Sequence, residues 1–400
     1  MRKVYTLFLL LAVRVGTMFA WDYEHIQIGD LYYNLDVVLQ TAEVTYQENT
    51  PQDNYPGLTE AVIPSSVTYN DAIYNVTSIG GWAFANCEAL TSLIIDKSVT
   101  NVGTFVIYRS AGLTSVEAPA VFFDALKETY WPNYTDKLSR VVVCGGELTE
   151  NALRFITRSY KTLESLDVSA ITNTELADEA FRGYYNLTEL KLPQGLTSIN
   201  YMTVADCKSL REIAIPAAVT EIGASAFENC RSLSAVQFAG EDVTRIGNWA
   251  FYNCHVLQNI EIPEGLTEIG DGAFYGCTYL NNLSIPASVR SIGDNAFALC
   301  SKLGRMDVDA ILPPEVEAKT FYEVSTEAPV YVPEESVDAY KAHAVWGKLN
   351  IVGKSNIPQG VEEVQSDANA KVQSTKVLRN GSVYILTEDK TCTITGQAVK

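Results

Sequence analysis

Five cysteines, Cys207, Cys230, Cys254, Cys277 and Cys300, fall 23, 24, 23 and 23 residues apart, and Cys87 occupies the same slot in an earlier unit. Thiols can ligate metal, form disulfides or act as nucleophiles. Zinc is disfavoured, because the chain holds no Cys-x-x-Cys and no His pair. Phased residues take equivalent inward positions, where parallel side chains suit a disulfide dihedral poorly. The phased cysteines therefore read as a ladder of buried thiols acting as small hydrophobes. Cys144 and Cys392 lie outside the phase and are the better candidates for reactivity. His255 follows Cys254, but the equivalent positions hold Arg231, Thr278 and Ser301, a variable surface slot rather than a nucleophile–base pair. No Gly-rich phosphate loop, nucleophile elbow or metalloprotease motif is present. The residues thus point to no catalytic centre, metal or cofactor, and to a chain that is not an enzyme.

The elements that carry the cysteines repeat with them. From Ile222 the chain reads IGASAFENC, from Ile246 IGNWAFYNC, from Ile269 IGDGAFYGC and from Ile292 IGDNAFALC. Each phrase leads into Leu-x-x-Φ-x-Φ, where Φ is apolar. The leading leucine recurs at Leu90, Leu113, Leu138, Leu163, Leu187, Leu210, Leu233, Leu257, Leu280 and Leu303, with degenerate ends at Leu58 and Ala328. Φ-x-Φ alternation sends one face of a short strand inward and the other to solvent. One unit cannot bury its apolar face alone, so the units must stack into a parallel ladder. Pro193, Pro216, Pro263 and Pro286 end the strands by withholding an N–H. Gly223, Gly247, Gly270 and Gly293 are expected to permit a turn with positive φ. Ala-Phe pairs such as Ala250-Phe251 fill the opposite wall, and Thr-x-Ile, as in Thr267-Glu268-Ile269, predicts a second short extended segment per coil.

These phrases resemble the BspA-type leucine-rich repeat of bacterial surface proteins, closely over 79–118 and 176–308. The stretch 119–175 departs: it lacks Ala-Phe-x-x-Cys and carries an insertion from Phe122 to Asp136. The expected fold is an α+β-type repeat solenoid, a leucine-rich-repeat right-handed superhelix with a parallel β ladder. An N-terminal β-hairpin cap, a C-terminal capping helix and a small β tail complete it.

The predicted organisation is a signal peptide over 1–20 and an N-terminal β cap with a degenerate first rung over 21–78. Repeats follow over 79–308, irregular in 119–175. A C-terminal cap spans 309–353, a linker 354–375 and a small β tail 376–400. The signal is read from Arg2 and Lys3 before the apolar run Val4 to Val13, with Ala20 ahead of a polar stretch. Ten apolar residues are too few to cross a membrane, so no transmembrane segment is expected in the mature chain. Asn380-Gly381 marks a hairpin in the tail. That tail resembles short C-terminal modules of exported Bacteroidetes-type proteins, which implies a sorting or surface-attachment role; a minor β-module that merely ends the chain is the alternative.

The net charge of −19 argues against nucleic acid, which needs clustered Lys and Arg. For an exported scaffold the expected partner is an extracellular protein or glycan. On the outward strand face the candidate binding residues are Glu117, Arg140, Asp167, Lys191, Arg211, Gln237 and Glu261. On the insertion they are Tyr130, Trp131 and Tyr134, with Tyr184 and Tyr185 nearby. Resemblance to the family implies a secreted or cell-surface protein-binding scaffold in adhesion to host matrix proteins or other cells. The alternative is an accessory scaffold or inhibitor that binds a secreted enzyme or glycan.

Overall fold

The computed structural model describes residues 21–47, 55–126, 137–149, 152, 153, 156 and 161–356, and the backbone of strands 375–379, 382–387, 390–393 and 398–399. The predicted signal peptide, the aromatics Tyr130, Trp131 and Tyr134, most of the predicted linker and the predicted turn at Asn380-Gly381 lie outside the described residues.

Every Φ-x-Φ segment becomes a strand, and the strands stack in parallel. Glu60–Ile63, Ser92–Ile95, Ser115–Ala118, Arg140–Val143, Ser165–Asp167 and Glu189–Lys191 form a six-stranded sheet. Glu212–Ile215, Ala235–Phe238, Asn259–Glu261, Asn282–Ile285, Arg305–Val308, Pro329–Val332 and Asn350–Gly353 form a seven-stranded one. The register keeps like beside like: Ile213 faces Val236 across the ladder, and Ile260 faces Leu283. Their side chains and the leading leucines are buried in one continuous core. The rung at Asn350–Gly353 lies beyond those the repeat predicts.

Thr-x-Ile supplies the expected second wall. Ser198–Ile199, Glu221–Ile222, Arg245–Ile246, Glu268–Ile269, Ser291–Ile292 and Glu315–Val316 form a sheet of two-residue strands. The preceding threonine hydroxyls extend it, each donating to the carbonyl of its counterpart one coil earlier, as Thr267 Oγ1 does to Thr244 at 2.9 Å.

The third wall is built of turns. Trp249, Phe251 and Asn253 donate their N–H groups to the carbonyls of Asp271, Ala273 and Tyr275 in the next coil, at 2.8, 2.7 and 2.9 Å. The intervening N–H groups bond within the coil, as Tyr252 does to Trp249 at 3.0 Å. Behind this wall Phe227, Phe251, Phe274, Phe297 and Phe321 stack with successive centroids 5.1, 5.2, 5.3 and 5.9 Å apart. Burying each ring contributes about 1.5–3 kcal/mol.

The recurring glycines do not supply the positive φ expected of them. Gly223, Gly247, Gly270 and Gly293 are not among the residues with positive φ. They are needed for close approach: a Cβ on Gly247 would stand 2.8 Å from the Ala224 nitrogen and from the Gly223 carbonyl carbon. Positive φ falls two residues later, at Ser225, Trp249, Gly272 and Asn295, and again at Asn229, Asn253, Gly276 and Leu299.

Helix is sparse among the described residues. In the irregular stretch Ala120–Ala125 is helical, with Phe122 and Phe123 fully buried, so the predicted insertion begins inside the core. Tyr184 is likewise a core residue: it fills the cysteine slot of its coil and is 1% exposed. Before the first coil, Tyr23–Ile28, Leu31–Asp36 and Thr41–Thr45 pair antiparallel. At the other end Val337–Ala342 is helical, and Trp346 is fully buried against Phe321 at 4.8 Å. The tail strands Thr375–Arg379 and Ser382–Thr387 pair antiparallel with Arg379 opposite Ser382.

Candidate interaction surface

The phased cysteines are free thiols within this core. Each of the five from Cys207 to Cys300 donates to a carbonyl of the preceding coil's turn wall: Cys230 to Val204 at 3.1 Å, Cys254 to Phe227 at 3.2 Å and Cys277 to Phe251 at 3.3 Å. The thiols thus act as proton donors as well as small hydrophobes. Burial pushes Cys207 and Cys300 up to about 12, and Cys230, Cys254 and Cys277 well above the ordinary thiol value. His255 Nδ1 lies 3.0 Å from the Gly276 carbonyl, so Cys254 and His255 do not form a catalytic pair. Cys144 is not activated either: burial and then the Glu117 charge push its thiol up to about 11. The side chain of Cys392 lies outside the described residues. Among the described residues no group of three or more His, Cys, Asp or Glu is placed to hold a metal ion.

The predicted strand-face residues divide into two sets. Toward the N-terminus they are bridged across rungs. Arg140 Nη1 lies 3.9 Å from Glu117, and Lys191 Nζ lies 3.0 Å from Asp167 and 3.4 Å from Glu189. Burial alone would raise the Asp167 carboxyl, but hydrogen bonds from Ser169 and Lys191 outweigh it and hold it below its ordinary value. Toward the C-terminus Arg305 grips Asp307 through two nitrogens, at 2.7 and 2.8 Å, and covers the Tyr331 ring at 4.7 Å. Between these clamps Arg211, Glu212, Ala214, Gln237 and Glu261 are all exposed, on strands whose inward residues are locked in the core. The centre of the face is therefore open and rigid. Its flanks have their charges already satisfied.

The repeat phase conceals a second surface. Trp249, 37% exposed, crosses Tyr252 and Tyr275 on the outside of the turn wall at centroid distances of 5.4 and 6.0 Å. These positions hold Ser225 and Glu228 one coil earlier, so a period-averaged reading sees only variable surface. The signal lies in the departures: aromatics where neighbouring coils carry small or polar residues.

A solenoid of parallel rungs, an inward leucine phase and a bare strand face define a leucine-rich-repeat scaffold. The family profile described as the BspA type leucine rich repeat region matches in six copies, over residues 55–143, 174–304 and 244–376. The chain belongs to that family. Similar solved structures include a leucine rich cell surface protein from Faecalibacterium prausnitzii A2-165, 22% identical, covering 85% of this chain and 96% of that one at a TM-score of 0.33. The leucine rich repeat protein of T. pallidum is 20% identical, with 70% and 91% covered and a TM-score of 0.31. The pneumococcal vaccine antigen PcpA is 16% identical, with 84% and 100% covered and a TM-score of 0.32. No curated protein matches the chain. No helix among the described residues is long and apolar enough to cross a membrane.

Proposed function

We propose that this chain is a secreted or cell-surface protein-binding scaffold, without enzymatic activity, that adheres to host matrix proteins or other cells. The observation that carries this reading is the open centre of the strand face, around Arg211, Gln237 and Glu261, held between charge-satisfied flanks. Side chains on a locked ladder lose little freedom on binding, and an exposed Arg is a favoured anchor. Membership of a repeat family built for display of a surface supports the same role.

The test is binding of the mature chain to immobilised matrix proteins, mucins and glycans. Two variants accompany it: Arg211→Ala with Gln237→Ala and Glu261→Ala, and a deletion of 127–136 that spares the buried Phe122 and Phe123. Saturable protein binding that the triple variant weakens at least about tenfold supports the strand face. Loss on the deletion alone moves the site to the insertion with Tyr130, Trp131 and Tyr134. Absence of binding to every surface rejects adhesion and favours an accessory scaffold for a secreted enzyme.

A further inference from the structure

Trp249 sits where the fold least needs it. It is the left-handed residue of its coil, with φ of +60°, at the position held by Ser225, Gly272 and Asn295 in neighbouring coils. A residue with a Cβ costs about 1–2 kcal/mol there, and a bulky one is an outlier. Ser225, Gly272 and Asn295 show that a small residue builds the same wall, while Glu179 and Met202 hold the equivalent position in earlier coils. The indole is also half-exposed, so core burial does not explain its choice. An unfavourable residue retained on a surface points to a use outside folding.

Its surroundings define that use. The six-membered ring rests on Gly272: a Cβ there would come within 2.2 Å of Trp249 Cε3 and Cζ3. Backbone thus supports the indole from below, leaving its exposed side to solvent. Tyr252 and Tyr275 stand against it at 83° and 61° and stack on each other at 5.3 Å, which fixes all three rings. The contrast is Trp82 and Phe105, equivalent left-handed positions nearer the N-terminus, which cover each other at 4.5 Å.

The Asp271 carbonyl accepts the Trp249 N–H at 2.8 Å, and Asp271 and Asn248, the residue before Trp249, line an open groove of about 360 Å3 that runs past Arg245, Glu268, Glu315 and Glu317. Asn248 Oδ1 accepts the Asp271 N–H at 3.0 Å, and Asp271 Oδ1 accepts the Asp294 N–H at 2.8 Å. These bonds orient Asp271 and leave its other carboxylate oxygen as an acceptor. Arg245 is held between Glu221 at 3.1 Å and Glu268 at 3.3 Å, so its charge is already matched.

From this arrangement we infer that the Trp249 face binds a neutral sugar ring of a glycan chain. The aromatic plate takes the apolar C–H face of a pyranose, and the oriented carboxylate of Asp271, in the adjoining coil, accepts from the hydroxyls of the chain. An apolar peptide anchor finds no deep apolar pocket: Ile269, Ile292 and Val316 also line the groove, but Ile269 and Ile292 are buried, and the surface it offers is mainly that of Asn, Asp, Glu and Arg. A sulfated or phosphorylated glycan meets Glu268, Asp271, Glu315 and Glu317 on a chain of net charge −19 and is repelled. The inference concerns a different wall from the strand face and stands independently of it.

The experiment titrates the full mature chain with maltohexaose, cellohexaose and mannohexaose, and with a heparin hexasaccharide as the anionic counterpart. Calorimetry and tryptophan fluorescence report binding. Trp249→Gly places in this coil the residue that the next coil carries, and Trp249→Phe keeps a plate. At least one neutral hexasaccharide binds the wild type; its Kd rises at least about tenfold in Trp249→Gly and less than about threefold in Trp249→Phe. Trp249→Gly unfolds within a few degrees of the wild-type midpoint, since relief of the left-handed strain offsets most of the lost ring contacts. The inference is overturned if no neutral hexasaccharide binds, if Trp249→Gly binds equally, or if heparin binds more tightly. A Trp249→Gly variant that unfolds well below the wild type also overturns it, by making the indole a structural residue.

Discussion

Gly247 lies so close to the preceding coil that a Cβ on it would stand 2.8 Å from the Ala224 nitrogen. Its recurrence with Gly223, Gly270 and Gly293 is plain in the sequence, and the default reason for such a glycine is positive φ. The structure places positive φ at Trp249 and Ser225 instead, because inter-coil hydrogen bonds impose it whatever the residue. Close approach to the preceding coil depends on coil spacing, which no single unit reveals. Gly247→Ala is expected to destabilise by about 1–3 kcal/mol through overpacking, measured by urea unfolding. Thiol chemistry is a second test at this scale. Burial raises Cys207 and Cys300 to about 12 from an ordinary value of 9.0. A group raised in the folded state contributes its full stability below the unfolded value. Stability is therefore expected to hold up to about pH 9 and fall as the pH rises toward 12. Iodoacetamide should label none of the five phased thiols at pH 8 until the chain is unfolded; rapid native labelling would contradict their placement.

Elements were the most legible level. Φ-x-Φ and Thr-x-Ile each encode an inward–outward alternation, and both became ladders in the expected register. The rung at Asn350–Gly353 escaped because the helix at Val337–Ala342 and the buried Trp346 replace the usual Ala-Phe-x-x-Cys lead. Trp346 closes the aromatic column: it meets Phe321 and Tyr340 at 4.8 and 5.4 Å and donates its indole N–H to Pro314 at 2.9 Å. Trp346→Ala is expected to cost about 3–5 kcal/mol by cavity formation and the stranded Pro314 carbonyl, read from chemical denaturation. The open centre of the strand face was also legible as a column of outward positions. Its division into bridged and unbridged parts was not, since rotamers decide which charges meet.

Over the whole molecule the period alone dictates the architecture, since each coil touches chiefly its neighbours and local losses stay local. Hydrogen exchange on Trp346→Ala should show deprotection of 329–332 and 350–353 while 235–238 and 259–261 keep theirs; uniform loss would mean a more cooperative body. The aromatic plate on the turn wall was hidden because it belongs to two coils and breaks the pattern of the rest. The turn wall has one more property as a whole. From Glu179 to Leu299 its inter-coil N–H groups donate to the coil that follows, three columns deep. Their peptide dipoles add, giving this wall a partial positive pole toward the C-terminus and a negative pole toward the N-terminus. Such a wall has a direction, like a one-way thread. Its two ends are opposite in sign and not interchangeable, so copies abutting through this wall would match head to tail and clash head to head.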